Sequence, residues 1–333
     1  ALQSGLVPDD VVFLSSWPDT LTRYISSQMQ PGMQKVLTHL IEKNIDDTRL
    51  RSLRESGDAL SLARTTAARA PGAALWLVVI PSEQYLTLSS RDMQLALRHR
   101  LGLAPSNHMP TRCACGHVLG PDPYHFHSCI FHRRRAVTTR HDMLVDFCEA
   151  LGRDAGALTL AEDHSHDHDW PDLEFWTRGL ADSGHIITDV SVVCPAAPSH
   201  RQTGRRRLAC AEARSETKRQ RYASLASEAG ADNLPAVFET FGGMAAATTR
   251  LLHRLVSSHA VSPGVRTPRQ FVRMIREGLS ICLQRWNALI DHMGLRWATR
   301  ASCRLTSPLR LPSDSRRTRR AYRRRDYRRR QFR

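Results

Sequence analysis

Trp170-Pro171-Asp172-Leu173-Glu174-Phe175, followed downstream by Ile186-Ile187-Thr188-Asp189-Val190-Ser191-Val192-Val193, is the part of the chain that decides its fold. Both segments alternate or run with β-branched and aromatic residues and are bounded by Gly184 and Pro195, so they read as strands. An acid inside such a run is costly. Asp189 would lie on a buried strand, where an unpaired carboxylate costs several kcal/mol unless a cation meets it. With Asp172 on a neighbouring strand, the two acids could share a divalent metal. Lys218, in the helix-forming stretch that follows, would add a cation for metal-dependent phosphodiester hydrolysis.

Outward from this core, candidate strands run over Ala157–Glu162, Asp172–Thr177, His185–Cys194 and Pro235–Thr240, with a helix over Ala209–Glu228 between the last two. Arg140–Leu151 carries Met143, Leu144, Phe147 and Leu151 at helical spacing and precedes the first strand. Helix, three strands, helix and strand describe an α/β unit whose active groups would sit at strand ends. Glu162 closes the strand before the acid pair and is a candidate third ligand, with Asp163 equally placed. The run Asp163-His164-Ser165-His166-Asp167-His168-Asp169 reads as a solvated loop.

The flanks are helical. Met33–Lys43 and Arg91–Leu101 show apolar residues at turn spacing, with Ser89-Ser90-Arg91-Asp92 as an N-cap signal for the second. Ala245–Val256 and Pro268–Met293 follow the α/β unit, the latter with a core stripe of Phe271, Ile275, Leu279, Cys282, Trp286 and Leu289.

Cys113, Cys115, His125 and Cys129 form the pattern C-x-C-x9-H-x3-C. Three thiolates and an imidazole this close are a natural zinc set, and Gly116 lets the chain turn toward the metal. His117, His127 and His132 compete for the nitrogen position. His127 would leave a single residue before Cys129, so His125 fits better. The remaining cysteines stand apart among apolar neighbours, a pattern of core residues in a reducing compartment.

The charge balance points to a polyanionic partner. Lys and Arg number 48 against 32 acids, a formal +16, and eleven arginines against two aspartates fall in 313–333. That tail lacks core residues and is expected to be disordered, with Tyr322, Tyr327 and Phe332 available to stack on bases. It would equally serve as a nuclear-import signal. Arg133, Arg134, Arg135 and Arg140 place positive charge beside the zinc cluster, and Arg221 and Tyr222 extend the face of Lys218; all six are candidate nucleic-acid contacts. No run of eighteen apolar residues exists, so a membrane partner is not expected.

Taken together, Leu97-Arg98-His99-Arg100-Leu101-Gly102-Leu103, the Cys/His cluster, Arg140-His141-Asp142, Pro171-Asp172, Asp189-Val190-Ser191-Val192 and Lys218 through Tyr222 resemble one known arrangement. It is similar to the C-terminal region of non-LTR retrotransposon polyproteins, over about 72–240. The resemblance implies a zinc knuckle leading into a restriction-endonuclease-like PD-(D/E)XK nuclease: a mixed sheet flanked by helices, with Mg²⁺ held by Asp172 and Asp189. Ser191 stands where many such enzymes carry lysine, and Trp170 where the family often has Arg or Lys. The catalytic lysine is therefore expected at Lys218, relocated onto the helix. The expected organisation is a helical region over 1–105 that follows a further N-terminal part, a knuckle over 106–135, a nuclease core over 136–243, C-terminal helices over 244–300 and a basic tail over 301–333. No polymerase signature is present. The implied function is DNA nicking in the nucleus, with DNA and RNA as partners; the alternative is a remnant that binds nucleic acid without cutting it.

Overall fold

A computed structural model describes residues 33–120, 122–161, 170–177, 184–261 and 267–306; at 33–39, 134, 260, 261 and 303–306 the description is of backbone alone. Glu162, the 163–169 run and the arginine-rich tail lie outside the described residues. The chain divides into two units, 1–57 and 58–333. In the first, one helix is described, α1 (Met33–Glu55), about three turns longer than the Met33–Lys43 periodicity predicts.

The second unit mixes helix and sheet. It opens with α2 (Ala59–Ala68) and α3 (Ser90–Leu101). Ser89 caps α3 by accepting from the Asp92 amide, and Gly102 ends it in the left-handed region at φ 73°. Two short turns of helix, α4 (His125–Ser128) and α5 (Ile130–His132), lead through a π-helical turn at Arg133–Val137 into α6 (Thr138–Asp154).

The sheet follows: β1 (Leu158–Ala161), β2 (Leu173–Trp176), β3 (His185–Thr188) and β4 (Val190–Val193). After α7 (Ala209–Arg221) and α8 (Ala223–Glu228) come β5 (Asp232–Asn233) and β6 (Ala236–Glu239). The strands β1, β2 and β3 form an antiparallel meander, and β5 joins β3 in parallel. A second ladder pairs β4 with β6, also parallel.

The expected strand His185–Cys194 is thus broken at Asp189, and its partner is broken at Leu234-Pro235. Proline cannot donate to a ladder, and the pairing resumes on either side of it. Leu234 N donates to Ile187 O and Ala236 N to Asp189 O, both at 3.0 Å. The bend puts Asp189 at the joint between the two ladders.

Helices α9 (Ala246–Val261), α10 (Pro268–Arg273) and α11 (Leu279–Thr306) follow, with a π-helical turn at Met274–Gly278 between the last two. One buried cluster joins Leu144 and Leu151 of α6, Phe175 and Ile186 of the sheet, Leu251 of α9 and Trp286 of α11. The sheet and the later helices therefore share a core. Contact is closest at Gly152, where an added Cβ would fall 2.3 Å from the Phe175 ring, so α6 can press on the sheet there only without a side chain.

Candidate functional site

Asp172 and Asp189 meet because of register. Leu173 pairs with Thr188 at the end of the β2–β3 ladder, so Asp172 and Asp189 directly follow its last pair, and the Asp172 carboxylate reaches the Val190 amide next to Asp189. Both acids are buried.

Lys218 reaches this rim from α7. Its Nζ lies 2.7 Å from Asp189 Oδ2 and 2.6 Å from Oδ1. Tyr222, one turn further on, donates its hydroxyl to Asp189 Oδ2 at 3.0 Å and also lies 3.2 Å from the Trp170 carbonyl oxygen. Ser191 donates to Asp189 Oδ1 at 3.4 Å. The strand acid thus has its cation, as burial demands.

Asp172 is held differently. Its Oδ2 accepts from the Val190 amide at 2.6 Å and lies 3.1 Å from His141 Nε2 of α6. Burial alone would raise the Asp172 carboxyl, but His141, the Val190 N–H and the Lys218 charge together hold it below the usual carboxylate range. Burial likewise disfavours the imidazolium of His141, yet its bonds to Asp142 and Asp172 outweigh this and push it up to about 10. Tyr222 is pushed up by burial and by Asp189. The rim therefore holds two carboxylates, an ammonium and an imidazolium. His141 is expected from the sequence to join Arg133, Arg134, Arg135 and Arg140 as positive charge facing a nucleic-acid backbone; it instead turns to Asp172.

Some expected nucleic-acid contacts sit elsewhere. Arg140 is 2 % exposed and donates to Asn287 Oδ1 at 2.9 Å, so it cannot meet a nucleic-acid backbone. Tyr222 is 4 % exposed and committed to Asp189. Arg140 was expected to face a nucleic-acid backbone, and Tyr222, on the Lys218 face, either to touch substrate or to pack; it packs. Arg133 and Arg221 are exposed. Arg135 stacks over Phe131 and Trp297, at 4.8 and 5.2 Å from the ring centres. The Arg134 side chain and Glu162 lie outside what is described.

The Cys/His cluster forms as expected. One ligand atom from each of Cys113, Cys115, His125 and Cys129 lies within 4.8 Å of all the others, a set that could bind a metal and suits zinc. Cys113 and Cys129 Sγ are 3.8 Å apart, and Cys115 Sγ is 3.4 Å from His125 Nε2. Gly116 makes the turn at φ 88°. The hydrogen bond between Cys113 and Cys129, with help from His125, lowers the Cys129 thiol and raises Cys113. His132, a competitor by sequence, stands behind the cluster with Nε2 3.3 Å from Cys113 Sγ. His127 turns away to Asp291. The knuckle packs on α11 through Phe126, which Gly294 admits: a Cβ there would lie 2.4 Å from the ring.

No protein-family model matches the chain, and no curated protein matches it. Among the described residues, no helix is long and apolar enough to cross a membrane.

Proposed function

We propose that the chain is a divalent-metal-dependent DNA endonuclease with a restriction-endonuclease-like core, of the kind found at the C-terminal end of non-LTR retrotransposon polyproteins. The observation that carries this reading is Lys218 Nζ within 2.7 Å of both Asp189 oxygens, with Asp172 bonded to the neighbouring Val190 amide at the same end of the β2–β3 ladder. A helix, an antiparallel meander, a crossover helix and a parallel strand also support it, because that order brings helix lysine and strand acids to one rim.

Hard carboxylate oxygens without thiolate or neutral imidazole suit Mg²⁺, which Asp172 and Asp189 would hold. Bound there, it would offset phosphate charge and lower the pKa of water. The chain's own groups do the rest. His141 and the Val190 amide fix the Asp172 carboxylate through Oδ2. Lys218 brings an ammonium to the rim, able to donate to a phosphate oxygen as negative charge builds up. Trp170, 54 % exposed beside Pro171, offers a stacking face for a base. Exposed Arg205, Arg206, Arg207, Arg219 and Arg221, around and along α7, suit the backbone of DNA or RNA. The basic tail suits nuclear import and phosphate contact.

A second reading, nucleic-acid binding without cleavage, is favoured by one observation: both oxygens of Asp189 and Oδ2 of Asp172 already meet protein groups. One experiment separates the two. Full-length protein with Mg²⁺ and supercoiled plasmid is expected to give nicked circles, and Asp189→Asn to give none. Plasmid retained by the protein but left uncut would establish the binding-only reading.

A further inference from the structure

Three buried polar groups from distant parts of the chain meet beside the knuckle. His99 lies in the last turn of α3, His127 in α4 and Asp291 in α11. One ligand atom from each lies within 4.8 Å of the other two. His127 Nε2 is 3.1 Å from Asp291 Oδ1. Among the described residues, neither nitrogen of His99 has a hydrogen-bond partner, and neither does His127 Nδ1. Each such atom forfeits about 1–3 kcal/mol of lost hydration, so buried imidazoles are rarely left this way. Packing explains the ring's position without satisfying it: Tyr124 meets the His99 ring edge-on at 5.0 Å and Phe241 at 4.9 Å.

We propose that His99, His127 and Asp291 bind a second zinc ion, separate from the one suited to the Cys/His knuckle. Two imidazoles and a carboxylate are a common zinc donor set, and a water can complete a tetrahedron. The short helix α4 then serves two sites: His125 faces the thiols while His127, two positions on, faces α11. A metal here ties together α3, the knuckle and α11, segments far apart in sequence. Arg140 opposes it. Its buried guanidinium acts on all three groups, although it is turned toward Asn287 Oδ1. A buried guanidinium this near disfavours a further cation, so the second site binds more weakly than the thiolate site.

The test is metal stoichiometry and spectrum on the full chain produced in cobalt-supplemented medium and then dialysed against excess Mg²⁺, which displaces any cobalt from the Asp172 and Asp189 rim. Wild type is expected to carry two cobalt ions per chain, with thiolate-to-metal charge-transfer absorption from the knuckle alone. Asp291→Asn is expected to carry one and to keep that absorption. A single ion in wild type overturns the proposal, and so does a second ion that persists in Asp291→Asn. Should Asp291→Asn give no folded protein, His99→Gln is read the same way: one ion with the absorption kept supports the site, two ions overturn it.

Discussion

The knuckle and the acid rim both gather metal-type side chains, yet they are assembled by different means. Cys113, Cys115, His125 and Cys129 fall within one short stretch, and a glycine turn plus one helical turn close the set. Asp172, Asp189, Lys218 and His141 come from two strands and two helices, and only sheet register and the α7 crossover unite them. The knuckle's charge is all of one sign once its thiols ionise, so it needs a metal. The rim is already balanced by its own ammonium and imidazolium. From this contrast it follows that metal removal should damage the first region's structure and leave that of the second largely intact.

The largest effect is therefore expected from stripping zinc. Structural zinc contributes on the order of 10 kcal/mol or more to small domains. A strong chelator should lower the Tm of the full chain by more than about 10 °C and erase the near-UV signal of Trp297, whose ring stacks on His132 behind the cluster. An unchanged melt would mean bare thiols, and the contrast would dissolve.

Next in size is Lys218→Met. It leaves Asp189 buried without its cation, a loss of about 3–5 kcal/mol. Urea unfolding should show it, and adding Asp189→Asn should restore most of the stability while plasmid nicking stays absent. If the single variant unfolds at the wild-type midpoint, the rim is wetter than its burial implies.

Glu239 supplies a third case, a buried acid on β6 with no cation among the described residues. Its Oε2 has no partner, and burial pushes the carboxyl up to about 7 despite the Ala211 amide. The folded state thus holds a proton that the unfolded state releases near 4.5. Stability then falls as pH rises from about 4.5 to 7 and stays reduced above, by about 3 kcal/mol. Glu239→Gln should melt higher than wild type at pH 8 and match it near pH 4.5; parallel pH profiles would show that the carboxylate finds water.

The same contrast explains what could be read from the chain. Knuckle ligands were legible because their spacing is local, and the caps of α3 likewise. The acid pair was legible because an acid in Ile187–Val190 is out of place chemically. Its assembly was not: the break at Asp189 depends on Pro235 in the partner strand, and His141 reaches Asp172 from a helix whose orientation no periodicity gives. Arg140 was misplaced because its polar side chain was assigned outward, whereas it points inward to Asn287; Tyr222, open between substrate contact and packing, points inward to Asp189. His99 and Asp291 gave no signal, since nothing in their neighbourhoods links them.

The smallest effect separates inward from outward cations most sharply. Arg221 is exposed, with its guanidinium 5.4 Å from the centre of the Tyr222 ring, next to Lys218 in space but outside the buried set. Arg221→Ala should leave unfolding within about 0.5 kcal/mol of wild type. It should weaken DNA binding two- to five-fold at low salt and reduce the slope of log affinity against log salt by about one, the mark of one lost phosphate contact. Arg140→Lys should do the reverse, lowering stability through the buried bond to Asn287 while the salt slope stays fixed. A salt slope that shifts with Arg140 and not with Arg221 would place the nucleic acid on another face and detach the α7 arginines from the acid rim.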